Sequence, residues 1–188
     1  VIWRIAMQRS YSTIISAADL ELNFDSVHLI DCRADLVNDR YGFEAFRQGR
    51  IPGAKFVDLN RDLSGEPGAR GRHPLPDRNN WLKTVRKLGI RANDQIVAYD
   101  DVGGMYAARF WWMMRWLGHE NVALLDGGIQ QWESNLESGE NPARPTKTYY
   151  SSNKMLTKLI EINELTELLQ NESSKVVDLV DARARERF

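Results

Sequence analysis

The amino-acid sequence predicts an α/β fold in three layers, a central and mainly parallel sheet flanked by helices, followed by the incomplete start of a second copy of the same pattern. Three observations predict it. Residues 96–99 (IVAY) and 122–125 (VALL) are short apolar runs without polar alternation, which suits parallel strands covered on both faces. Between them, residues 105–117 are too rich in aromatic and aliphatic side chains for a helix with an open side. Finally, an apolar run closed by an acidic, a small and a basic residue occurs twice: Asp31-Cys32-Arg33 follows residues 27–30, and Asp181-Ala182-Arg183 follows residues 176–180.

Taken in order, residues 12–22 form a strand turning into a helix, with Ser16 as N-cap, and residues 27–30 form the next strand. Residues 58–79, with LSGEPGARGRHPLP, hold too much glycine and proline to build a core and form a surface excursion. Its Arg70, Arg72 and His73 are candidates for an anion site, although solvated loop charges are the simpler account. A helix over residues 81–88 is capped by Asp77 or Asn79 and ended by Gly89. The central strand, the loop Asp100-Asp101-Val102-Gly103-Gly104, the apolar helix stopped by Gly118 and the strand 122–125 follow.

Residues 137–153 are rich in Pro, Ser, Gly and polar residues, with Pro142 and Pro145 favouring an extended linker. Apolar patterning restarts after them, with a second strand turning into a helix over residues 159–169. The expected organisation is a domain over residues 10–136, a linker over 137–155 and a truncated second domain over 156–188, which cannot bury a core of its own.

Composition narrows the function. The chain has 188 residues, is 43% hydrophobic and 27% charged, and carries a formal net charge of −1, which gives no reason to expect nucleic acid or an anionic membrane as partner. One cysteine excludes an internal disulfide framework. No run is long enough for a transmembrane helix, and residues 1–10 lack the apolar core of a secretory signal, so a cytoplasmic location is the default. His28, His73 and His119 are too scattered for a metal site, and the loop lacks the dinucleotide fingerprint, so no metal and no cofactor are expected.

Residues 46–54, FRQGRIPGA, resemble the aromatic-x-x-x-His-hydrophobic-Pro-Gly-Ala element of the rhodanese family, with Arg50 in place of the usual His. Arg109-Phe110-Trp111-Trp112 with Arg115-Trp116-Leu117-Gly118-His119 resembles the helix of the amino-terminal domain in the tandem thiosulfate and 3-mercaptopyruvate sulfurtransferases, and Leu125-Asp126-Gly127-Gly128 with Trp132 resembles their closing glycine turn. The resemblance implies small sulfur-containing anions as donors and cyanide or a thiol as acceptor. In that family a cysteine opening the loop after the central strand carries the sulfane sulfur, stabilised by loop amides and the helix end.

This loop has no cysteine. Counting back from Ala107, Asp101 falls at or next to the nucleophile position, and a carboxylate cannot form a persulfide. The chain alone is therefore expected to be inactive, with its nucleophile on a second domain; the alternative is a non-catalytic binding or structural module. Asp101, with Asp100 beside it, is expected to accept the free N–H groups at the start of the helix. Cys32 is expected to be a small buried hydrophobe, since Ala182 stands at its place in the repeat. The resemblance of residues 181–188 to the start of the second domain places Arg187, with Asp181, where the anionic donor binds.

Overall fold

A computed structural model describes residues 10–140, 148–170, 178–182 and Arg185. It divides into two compact units, Val1–Thr157 and Lys158–Phe188. The first contains strands β1 (Ile14–Ile15), β2 (Val27–Asp31), β3 (Lys55–Phe56), β4 (Gln95–Tyr99) and β5 (Val122–Leu125), and helices α1 (Ala17–Leu22), α2 (Tyr41–Gln48), α3 (Arg78–Lys87) and α4 (Met105–Trp116). The sheet runs β1-β5-β4-β2-β3 and every pairing is parallel. β4 lies at its centre.

Side-chain alternation on β4 separates two cores. Ile96 and Ala98 pack with Val85 of α3 and Phe110 and Met113 of α4, whereas Val97 and Tyr99 pack with Leu20 of α1 and Phe46 of α2. Both faces are covered, which explains why the strand carries no polar alternation. The density of α4 has the same origin: Phe110, Met113, Met114 and Leu117 are fully buried. Trp81 of α3 meets the Phe110 ring edge-on and donates its indole N–H to the Met113 carbonyl at 3.0 Å. The expected caps are present, with Ser16 accepting from the Asp19 amide and Asp77 from those of Asn79 and Asn80.

The excursion over residues 58–79 is held by Arg109, whose guanidinium donates to the carbonyls of Leu63, His73 and Pro74. Arg70 and Arg72 are exposed, and a ring nitrogen of His73 lies 2.9 Å from Asn60 Oδ1. Arg50, at the position where the family resemblance expects a His, is fully buried. Its guanidinium lies 4.5 Å from the centre of the Phe46 ring and donates to Glu137 and the Gly139 carbonyl, while Arg50 and Glu137 also pair their backbones.

Residues 148–157, which span the end of the stretch expected to link two domains (137–155) and the first two residues expected in the second, pack onto this first unit. Tyr150 is buried, its hydroxyl 3.0 Å from His119 Nδ1. The amides of Asn153 and Leu156 donate to the carbonyls of Leu117 and Arg115 at the end of α4.

In the second unit, helix α5 (Ile162–Gln170) starts where a helix was expected, but residues 159–161 form no strand. A strand needs a partner ladder, and none lies among the described residues of this unit. Described residues 178–180 likewise form no strand; 176 and 177 lie outside the described residues. No residue of α5 is buried. Among the described residues no helix is long and apolar enough to cross a membrane.

Candidate functional site

The loop after β4 emerges at the carboxyl edge of the sheet centre, against the start of α4. Gly103 and Gly104 have φ of +73° and +91°, which turns the backbone so that its N–H groups point inward. One carboxylate fills that nest. Asp100 Oδ1 accepts from the amides of Val102 (3.0 Å) and Gly104 (2.8 Å), and Oδ2 from those of Tyr106 (2.8 Å) and Ala107 (3.0 Å). Asp100 has no solvent-exposed surface. A negative charge here meets the positive end of α4.

The expectation that Asp101 fills the nest is corrected by this geometry. Ile96, Ala98 and then Asp100 face α4 in the alternation of β4, so Asp100 reaches the helix start. Asp101 falls on the opposite side, where its Oδ2 accepts from the Tyr41 hydroxyl at the start of α2. Its Oδ1 is buried without a hydrogen-bond partner, and its carbonyl accepts from Gln130 Nε2 at 2.7 Å.

Two arrangements flank the loop. The glycine turn after β5 closes on it: the Ile129 amide donates to the Asp100 carbonyl at 3.0 Å, and a Cβ on Gly128 would lie 2.4 Å from that oxygen. On the other side, Arg33 grips Asp31 through Nε and a terminal nitrogen (3.1 and 2.6 Å) and donates to the Gly49 carbonyl at 2.7 Å. The Tyr99 hydroxyl donates to Asp31 at 3.0 Å, and burial followed by the Asp31 charge pushes its pKa up. Cys32, between these groups in sequence, is buried in the α4-side core. Burial first, then the charges of Asp31 and Asp100, raise its pKa well above the ordinary thiol value. Such a thiol is a poor nucleophile.

The rhodanese-like domain family matches residues 16–135 of the chain. The chain belongs to the rhodanese family.

The probable 3-mercaptopyruvate sulfurtransferase of Pseudomonas aeruginosa is 39% identical over 166 residues, which are 85% of this chain and 57% of that protein. The putative thiosulfate sulfurtransferase SseB of Mycobacterium tuberculosis is 37% identical over 190 residues, 97% of this chain and 65% of that protein. Among solved structures, SseA of Escherichia coli, whose crystal structure was described for the rhodanese fold and mechanism of 3-mercaptopyruvate sulfotransferases, aligns with a TM-score of 0.71 at 25% identity. It covers 84% of this chain and 61% of that one. The chain thus spans less than two thirds of the length of these relatives, which are named as sulfurtransferases.

Within this rhodanese domain the loop can hold an anion, but its donors are already occupied by Asp100. Asp181 lies in the second compact unit and is exposed, and Arg187 lies outside the described residues. Sequence reasoning passed over Tyr41 and Gln130 as supports of the loop, since each comes from a different element and no local pattern links them. Among the described residues no group of three or more His, Cys, Asp or Glu side chains could hold a metal ion.

Proposed function

We propose that this chain is the amino-terminal, non-catalytic rhodanese domain of a sulfurtransferase that moves sulfane sulfur from thiosulfate or 3-mercaptopyruvate to cyanide or a thiol, with the persulfide-forming cysteine on a second rhodanese domain. The observation that carries this reading is the Asp100 carboxylate on two loop amides and two at the start of α4, where an active rhodanese would hold a thiolate or persulfide. A carboxylate has no sulfur to transfer, and its charge opposes an incoming anion. The sulfurtransferase names of the relatives, and the share of their length that the chain spans, support the same assignment.

Under this reading residues 10–136 are the inactive domain, 137–155 the connector and 156–188 the opening of the second domain. Arg187 and Asp181 would then contribute to binding the anionic donor there, since planar guanidinium donors match a carboxylate or thiosulfonate oxygen pair. Incubating the chain with cyanide and either donor tests the proposal: no turnover above the uncatalysed rate is expected. Turnover that disappears in Cys32→Ala would overturn it.

A further inference from the structure

A second cluster of titratable groups lies away from the Asp100 loop, near the amino end of the sheet, and the rhodanese loop makes no use of it. Asp94, just before β4, has its Oδ2 2.8 Å from Nε2 of His28 on β2. The other ring nitrogen, Nδ1, lies 3.4 Å from Lys55 Nζ on β3, and Nζ also donates to the Leu88 carbonyl at 2.5 Å. These contacts fix the tautomer: with Nε2–H given to Asp94, Nδ1 keeps a lone pair facing the amine. Carboxylate, imidazole and amine form a relay of the kind that activates a nucleophile.

We propose that Lys55 is an acylation site for acyl thioesters, with His28 as its general base and Asp94 as a positioning residue. The neutral amine uses its N–H groups on His28 and Leu88, and its lone pair attacks the thioester carbonyl carbon. The N–C bond forms, the C–S bond breaks, the thiol leaves as thiolate, and the surplus proton on nitrogen passes to His28 Nδ1. Asp94 stabilises the resulting imidazolium. No oxidation is involved.

The electrostatics agree. Burial holds the Lys55 ammonium below its ordinary pKa, against the opposing charge of Asp94. Burial, then Lys55 and Arg91, hold His28 below its own ordinary value against the charge and hydrogen bond of Asp94, so the base is neutral at neutral pH. Lys83 and Lys87 on α3 are exposed and serve as internal references.

The test is incubation of the whole chain with acetyl-coenzyme A, following each lysine by peptide mass spectrometry. Lys55 should acetylate at least about tenfold faster than Lys83 and Lys87, the low end of general-base assistance. Its rate should also reach half-maximum at a lower pH. In His28→Gln the Lys55 rate should fall to the reference rate, and in Asp94→Asn its pH profile should shift. Equal rates at Lys55 and Lys83 in the wild-type chain, or identical pH profiles, would overturn the proposal even if the His28 variant fails to fold.

Discussion

Asp100 and Ala107, seven residues apart, are joined by a 3.0 Å hydrogen bond from the Ala107 amide to Asp100 Oδ2. The two oxygens of that carboxylate serve different segments, Oδ1 the turn and Oδ2 the first turn of α4. Asp100→Ala strands four donors, two of them buried, and should cost about 3 kcal/mol. Asp101→Ala, at the rim beside Tyr41, should cost no more than about 1 kcal/mol. Urea denaturation of the two variants checks the order, and a larger loss at Asp101 would refute this account of the loop.

Asp100→Cys places a thiol among the same donors at a helix start, an environment that favours the thiolate. At neutral pH the new thiol should react quickly with iodoacetamide and take sulfur from thiosulfate. Cys32 provides the contrast: buried, with its pKa raised, it should label only once the chain is denatured. Mass spectrometry of the alkylated peptides distinguishes the two positions.

His119 gives the fold a pH dependence. It is buried between Tyr150 and the Asp94 carbonyl, and burial holds its imidazole below the ordinary value. The unfolded imidazole takes a proton near pH ~6.5 and the folded one only at lower pH, so protons favour unfolding in that window. Stability should be full above pH ~6.5 and fall as the pH drops, by up to about 1.4 kcal/mol per pH unit for each such group. His28, shifted the same way, adds to the slope. Thermal melts across this range should give a shallower slope for His119→Gln, and an unchanged slope would remove His119 as a cause.

Arg50 is the buried half of an ion pair whose partner, Glu137, is about one-third exposed. Arg50→Ala removes bonds to Phe46, Glu137 and Gly139 and the stacking on the Phe46 ring, and should cost about 3 kcal/mol. Arg50→Lys should recover little of this, because one ammonium cannot match the planar fork. Chemical denaturation of the pair gives the answer.

Much of the fold was legible because each core strand had only one way to hide. Residues 96–99 and 122–125 announced two-sided burial, and Ser16, Asp77, Gly89 and Gly118 marked helix ends through local chemistry. The site was less legible. Assigning the nest to Asp101 came from counting back from Ala107, whereas the alternation of Ile96 and Ala98 already pointed Asp100 at α4. Tyr41 and Gln130 could not have been found so, because their contacts with Asp101 cross 60 and 29 residues and depend on tertiary packing. Tyr150, inside the expected connector, enters the core of the first unit: proline and serine content describes the chain's stiffness and solvation, and not where a single aromatic ring docks.

The sheet order also sets a timetable for synthesis. Ile14 pairs with Leu124, about 110 residues later, and Ile15, almost fully buried, pairs with Leu125. β1 leaves the ribosome long before β5 and must wait for it, since so long a loop closes only once β5 is made. Until then Ile15 and Leu20 have no β5 to cover them, and a nascent chain stalled before residue 122 should be held by chaperones that bind exposed apolar segments.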